Sequence, residues 1–192
     1  MTIIMLNGTS SSGKTAIVRE LQKCLAEPYL EAGLDKFLWM LPGRYLNRPE
    51  WDGVLGLAST AGPLGLRLVS GMHQAIAALA KAGNHVIADH VLVEPIWWRE
   101  CAALFAALPA YLIGVHCPLP ILEAREAARQ DRTLGQAKAQ FELVHAAAIY
   151  DFEVDTSLFS AAECAGQIKR FIETNTRPEA FQLLQQRRDN GN

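Results

Sequence analysis

Short apolar runs alternate with longer stretches of helical period along this chain. The runs are Ile3 to Leu6, Tyr29 to Leu34, His85 to Ala88, Tyr111 to Val115 and Phe152 to Val154. Between them, Lys14 to Leu25 carries apolar residues at helical spacing, Leu64 to Lys81 is Ala-rich and ends at Gly83, and Pro95 to Leu108 is again helical. Short strands separated by helices of this length predict βαβ units and a parallel sheet with helices on both faces.

Two segments depart from that rhythm. From Leu119 to Tyr150 the pattern reads as helix, charged turn, helix, with Arg125, Arg129, Asp131 and Arg132 gathered near a break at Gly135, which suits a small lid. Leu41 to Gly65 is rich in Gly and Pro, has weak periodicity and contains Tyr45 and Trp51, as an irregular substrate-side insertion does. From Pro178 the chain predicts one short amphipathic helix through Phe181, Leu183 and Leu184, then a polar tail. The expectation is one α/β domain over residues 1–178 with a lid at about 119–150 and a tail at 179–192. The expected architecture is three-layered, with a central parallel sheet of about five strands and helices on both faces.

Chemistry enters at the first strand-to-helix junction. Gly8-Thr9-Ser10-Ser11-Ser12-Gly13-Lys14-Thr15 matches G-x-x-x-x-G-K-[ST], and it follows a strand and opens a helix as the mechanism requires. Glycines at both ends let successive backbone N–H groups turn toward phosphate oxygens, and the helix that follows presents its positive end to the same anion. Lys14 then reaches the β- and γ-phosphates and Thr15 ligates magnesium. A solvent-facing Ser/Gly turn is the bland alternative; Lys14→Ala is expected to abolish turnover and leave the fold intact, since a solvated loop lysine contributes little to stability.

Composition narrows the partners. The 192 residues are half hydrophobic, and 18 basic side chains against 20 acidic ones leave a net charge of -2, so no broad electrostatic footprint invites nucleic acid or an anionic membrane. The four cysteines, Cys24, Cys101, Cys117 and Cys164, form no CxxC pair and no His joins them at metal-ligand spacing, so they read as reduced thiols. The apolar start lacks a basic n-region, which makes the cytoplasm the expected compartment. The uncharged stretch Cys101 to Leu122 is interrupted by Pro109, Gly114, His116, Pro118 and Pro120, and reads as a buried helix followed by a buried strand rather than a membrane span. The apolar surface of the Leu64 helix packs either on the sheet or on another subunit, which leaves a homo-oligomer open.

Ligands of open α/β sheets sit beyond the carboxyl ends of the strands, where two acids fall. Asp35 follows the second run and can accept the proton of an acceptor hydroxyl or hold it in line; the alternative is an N-cap for a helix starting near Lys36. Asp89 ends the third run, where an acid orients magnesium beside Thr15 and meets the substrate; the alternative is again a cap, for the Pro95 helix. His90 reads more readily as structural than as catalytic. Arg125, Arg129 and Arg132 recur at spacings of four and three, so a helix converges their charges on a phosphoryl group. Otherwise they form a solvated face paired with Glu123, Glu126 and Asp131.

Taken in order, the phosphate loop, Gly33-Leu34-Asp35, the strand ending in Asp89, Arg125-Glu126-Ala127-Ala128-Arg129-Gln130-Asp131-Arg132 and Tyr150-Asp151-Phe152-Glu153-Val154-Asp155-Thr156 resemble the chloramphenicol phosphotransferase family. The resemblance spans roughly residues 3 to 170. It implies a nucleoside-kinase-like P-loop fold that uses ATP and Mg2+ to phosphorylate a hydroxyl of a small molecule, with Asp35 as the base. It also implies that Arg132 and its neighbours grip ATP phosphates and that the loop after Asp155 passes near adenine. In that family the acceptor is the antibiotic's primary alcohol, and the activity confers antibiotic resistance. The family pattern carries two successive acids where this chain has Asp89-His90, and Leu41 to Gly65 has no counterpart, so the acceptor stays open. The alternatives are a kinase of the shikimate or gluconate type, a nucleotide kinase, or a non-catalytic nucleotide-dependent switch.

Overall fold

Ile3–Asn7 forms the central strand β1, and all five of its residues are buried. In the computed structural model, which describes residues 1–47, 50–58, 60–128 and 134–190, β1 pairs in parallel with β3 (His85–His90) on one side and β4 (Ala110–His116) on the other. Outside these lie β2 (Tyr29–Glu31) and β5 (Phe152–Asp155), also parallel, giving the order β2-β3-β1-β4-β5.

Side chains alternate across a strand, and the consecutive apolar residues of β1 therefore feed two cores. Ile3 and Met5 join Val86, Ala88 and Leu112 under α3 (Pro63–Lys81) and α4 (Pro95–Phe105). Ile4 and Leu6 join Ile87, Ile113 and Val154 under α1 (Lys14–Cys24) and α7 (Ala161–Thr174). A sheet covered on both faces explains why its strands are apolar without alternation. The apolar stripe of α3, with Val69, Met72, Ile76 and Ala80, is spent on the sheet, which decides between the two packings the sequence left open. The Cys101 to Leu122 stretch is the end of α4, all of β4 and the start of α5 (Leu119–Ala127). No helix among the described residues is long and apolar enough to cross a membrane.

Three boundaries differ from the sequence reading. The second strand stops at Glu31, and Leu34 already opens the short helix α2 (Leu34–Leu38) with Gly33 as its N-cap. The irregular segment contains two 3-10 turns, Gly43–Leu46 and Glu50–Gly53. The helix after the charged turn, α6 (Gln136–Phe141), is short, starts beyond Gly135 at positive φ and gives way to turns. At the other end, α8 (Ala180–Asp189) packs on α4 and β4. There Phe181 is buried with its ring 5.3 Å from Phe105 in an edge-on arrangement, while Leu183 faces outward.

Because α8 closes one of the two cores, removing its anchor leaves a cavity. Phe181→Ala is expected to destabilise the fold by about 3–5 kcal/mol, read as a lower urea midpoint at unchanged slope. A change within about 0.5 kcal/mol, as at a surface position, contradicts that packing.

Candidate active site

The phosphate loop joins β1 to α1. Gly13 sits at φ 91 and Ser11 at φ 64, the left-handed geometry that turns backbone N–H groups into an anion-binding concavity. The hydroxyls of Ser11 and Ser12 are buried without a hydrogen-bond partner among the described residues, which fits a loop built around a polar ligand. Lys14 is not the solvated loop lysine of the bland alternative. It is buried, and its Nζ donates to the carbonyls of Gly8 at 2.8 Å and Thr9 at 2.7 Å, so its removal also leaves two carbonyls without that partner.

Beside the loop, Thr15 Oγ1 donates to Asp89 Oδ2 at 2.8 Å. The sheet register makes this contact, because Leu6 of β1 lies opposite Asp89 of β3. Burial pushes the Asp89 carboxyl upward, with Lys14 and the Thr15 hydroxyl opposing that shift. Its other oxygen fills the space where a Cβ of Gly33 would stand, 1.7 Å away; only glycine lets α2 begin this close to the carboxylate. Neither acid caps a helix. Asp35 is the second residue of α2, behind the Gly33 cap, and α4 starts from Glu94 with Pro95 at its first position.

A cavity of about 240 Å³ brings Lys14, Thr15, Asp35 and Asp89 to one space. His90 borders it too, but both ring nitrogens are engaged: Val91 N–H donates to Nδ1 at 2.7 Å, and Nε2 meets His73 Nε2 at 2.8 Å. His73 Nδ1 in turn lies 2.9 Å from Glu100. With Nδ1 accepting, the network assigns the proton of His90 to Nε2 and that of His73 to Nδ1. Burial lowers the pKa of both rings, so His90 is a neutral wall of the cavity.

A second cavity of about 70 Å³ adjoins the first, sharing Ser10, Leu34, Asp35 and Val91 with it. Its remaining walls include Trp51, Leu55, Leu57, Val93, Trp97 and the amides of Gln136 and Gln140. Of the other aromatics considered from sequence, Trp98 is buried with Nε1 donating to Leu92 O, and Tyr45 lies under the Arg44 guanidinium. A third cavity, of about 430 Å³, lies on the far side of Ser11 and Gly13, where Thr156, Phe159 and Arg125 meet.

Arg125 faces this cavity as no solvated helix residue does. Its guanidinium donates to Thr156 Oγ1 at 3.0 Å and to Thr156 O at 2.8 Å. Glu126 turns the other way, buried, accepting the N–H groups of Gly135 at 2.7 Å and Ala137 at 2.9 Å at the start of α6. Arg129, Asp131 and Arg132 lie outside the described residues.

The family model described as chloramphenicol phosphotransferase-like protein matches residues 1–173. The chain belongs to the chloramphenicol phosphotransferase-like family. It is 31% identical over 198 residues to a Mycobacterium tuberculosis protein named "Putative O-phosphotransferase Rv2636", covering 96% of this chain and 88% of that one. Among solved structures it is similar to a sugar kinase from Janibacter sp. HTCC2649, with a TM-score of 0.66 at 14% identity over 92% of this chain and 96% of that one. It is also similar to the Mycobacterium tuberculosis APS kinase in complex with AMPPNP and APS, with a TM-score of 0.63 at 13% identity over 90% and 97%. At these identities the likeness to solved structures speaks for the fold, the parallel P-loop kinase sheet expected from the sequence.

The sequence patterns of this family member pass over one residue that frames the site. Asn7, fully buried at the end of β1, accepts Leu92 N–H at 2.8 Å and donates to Val144 O at 2.9 Å and Tyr150 OH at 2.8 Å. Tyr150 OH in turn lies 2.6 Å from His145 Nδ1. Burial first, then the positive neighbours His116 and Lys14, lower the His145 pKa to about 4. The folded state thus disfavours its protonation, so stability that is fully present above the ordinary histidine pKa of about 6.5 falls as pH drops toward 4. His145→Gln is expected to flatten the fall in Tm between pH 6.5 and pH 4. A fall as steep as in the unaltered protein contradicts the assignment.

Proposed function

We propose that this protein transfers the γ-phosphoryl group of ATP to a hydroxyl of a small, uncharged molecule, with Mg2+ as the metal. The observation that carries this reading is the position of Asp35, which borders both the cavity of Lys14, Thr15 and Asp89 and the apolar cavity beside it. A carboxylate at that junction can accept the proton of an alcohol held on one side while the alcohol oxygen faces a phosphoryl group on the other.

Each part of the machinery has a candidate. The N–H groups from Ser10 to Thr15 cradle phosphate oxygens, and Gly8 and Thr9 hold Lys14 over them through their carbonyls. The hydroxyl of Thr15 and the carboxylate of Asp89, already 2.8 Å apart, are the oxygen donors that suit a hard divalent cation. They would hold a magnesium ion, whose charge would offset that of the phosphates. Arg125, bonded to Thr156 next to Gly13, borders the space where the nucleotide base and sugar fit, and Arg129 and Arg132 complete the phosphate-binding set. Asp35 takes the acceptor proton as the new O–P bond forms and ADP leaves.

The preference for an uncharged acceptor comes from what the apolar cavity offers. Its described lining holds Asp35 and two amides and no Lys, Arg or His, so a carboxylate or phosphate of a shikimate- or gluconate-type acceptor meets no counter-charge there. Two tryptophans and several aliphatic side chains favour a substrate with an apolar body. A chloramphenicol-like alcohol fits that description, and with it a role in antibiotic resistance.

An ADP-release assay with Mg-ATP tests the reading against chloramphenicol, other neutral alcohols, shikimate and gluconate. Release is expected with neutral alcohols. Asp35→Asn is expected to lower it by about 10²- to 10⁴-fold with nucleotide affinity kept. Lys14→Ala is also expected to abolish it, with folding checked separately because Lys14 is buried. Release with the anionic acceptors alone replaces the acceptor class, and nucleotide binding without acceptor-dependent release across the panel favours a nucleotide-dependent switch.

A further inference from the structure

Gln140 is the one side chain among the described residues that bonds both to the phosphate loop and to the acceptor-side segment. Its Oε1 accepts the backbone N–H of Ser10 at 2.8 Å, and its Nε2 donates to the carbonyl of Leu57 at 3.2 Å. The amide is buried, as is Ser10, so the bond to Ser10 is shielded from water and breaking it leaves a buried polar group unpaired, whereas Leu57 is exposed and its carbonyl bond is the more easily lost of the two. Leu57 lies in the segment whose neighbours Trp51, Leu55 and Ala58 wall the apolar cavity. That cavity, about 70 Å³, is small against the roughly 300–1,000 Å³ of ordinary ligand pockets, so a drug-sized alcohol calls for a wall to move. Gln140 ties the Leu57 wall to α6.

We infer that Gln140 is a positioning residue that latches the acceptor cavity shut until the phosphate loop is filled. The inference rests on the ATP-dependent reading above. Ser10 N–H belongs to the row of loop amides that a nucleotide phosphate recruits, and it borders the 240 Å³ cavity. When a phosphate oxygen takes that N–H, Gln140 loses its anchor on the phosphate loop, its hold on Leu57 loosens, and the segment can move away from Trp97. The freed carboxamide is then available, beside Gln136, to hydrogen-bond the incoming acceptor. Donor and acceptor binding are thereby coupled with positive sign: the nucleotide opens the acceptor site, and an acceptor wedged in the cavity leaves Ser10 N–H to the nucleotide.

Hydrogen exchange of the 54–58 backbone reads the latch directly and needs no identified acceptor. In the unaltered protein, Mg-AMPPNP is expected to speed exchange over 54–58 by about 3- to 10-fold, the equilibrium factor of one net hydrogen bond. Gln140→Met, which keeps the shape and removes both bonds, is expected to exchange at that faster rate without nucleotide and to gain nothing on its addition. Gln140→Glu keeps an oxygen for Ser10 N–H but loses the donor to Leu57, and is expected to behave as Gln140→Met does; it also serves if the methionine variant fails to fold. Unchanged exchange in the unaltered protein with AMPPNP bound, or an equal response in the variants, overturns the latch and leaves the proposed reaction standing. If AMPPNP neither binds nor raises Tm, the nucleotide reading fails and the latch falls with it.

Discussion

A buried amide has to satisfy its donors and acceptor at once or cost the fold the full price of desolvation, and Asn7 turns that constraint into architecture. It stands where the most buried strand becomes the phosphate loop. Its three bonds fix the turn after β3 at Leu92, the turn after α6 at Val144, and Tyr150 at the approach to β5. These segments carry Val91 and Val93 on one side and the His145–Tyr150 pair on the other. An aliphatic residue at position 7 has the right burial and none of these bonds, so the strand would form while the loops around the phosphate loop lost their common reference.

Electrostatics at the site follow from how little water reaches it. Asp89, Lys14 and His90 line one cavity, and burial biases Asp89 and His90 in directions that their neighbours oppose or complete. The Asp89 carboxyl is pushed up by burial and drawn back by Lys14 and Thr15. His90 is pushed down by burial, then further by His73. A neutral imidazole at position 90 suits this arrangement better than a second acid: another carboxylate beside Asp89 would add like charge to a group that burial already drives toward protonation. The departure from the family pattern at Asp89-His90 is therefore accompanied by its own support, since the ring nitrogens of His90 are used by Val91 and by the chain through His73 to Glu100. Asp89 stays bonded to Thr15, and the neighbouring position is a hydrogen-bonded wall.

What could be read from the sequence was what is local. The strands were legible because burial on both faces makes them apolar, and the phosphate loop because its glycines, lysine and threonine answer to backbone geometry within eight residues. Asp89 was legible because a strand end is where such sheets bind ligands. The second strand was read three residues too long, since Ala32-Gly33-Leu34 is apolar enough to extend it; Gly33 ends it because the carboxylate of Asp89 occupies the room of a side chain. Asn7, Gln140 and Thr156 were passed over for one shared reason. Their decisive partners are 137, 130 and 144 residues away, at Val144, Ser10 and Ser12, and polar contacts across such separations leave no mark on periodicity. Arg125 and Glu126 show the same limit in milder form: in a charged run that reads either as a phosphate-binding set or as a solvated face, one bonds Thr156 and the other bonds the start of α6.

That adjacency connects the two halves of the site. Arg125 and Glu126 point to opposite sides of α5, so one short helix holds the β5 loop near Gly13 with one residue and the N-terminus of α6 with the next. A buried carboxylate accepting two N–H groups at a helix start is a charge-assisted contact, stronger than an ordinary neutral hydrogen bond and favoured by the helix dipole. It fixes α6 in place, and α6 carries Gln136 and Gln140 into the apolar cavity. One helix, α5, thereby contacts the wall of the 430 Å³ cavity through Arg125 and the start of α6 through Glu126, while α6 meets Ser10 and Leu57 through Gln140. The phosphate loop and the apolar cavity are thus joined by contiguous contacts that meet at Gln140.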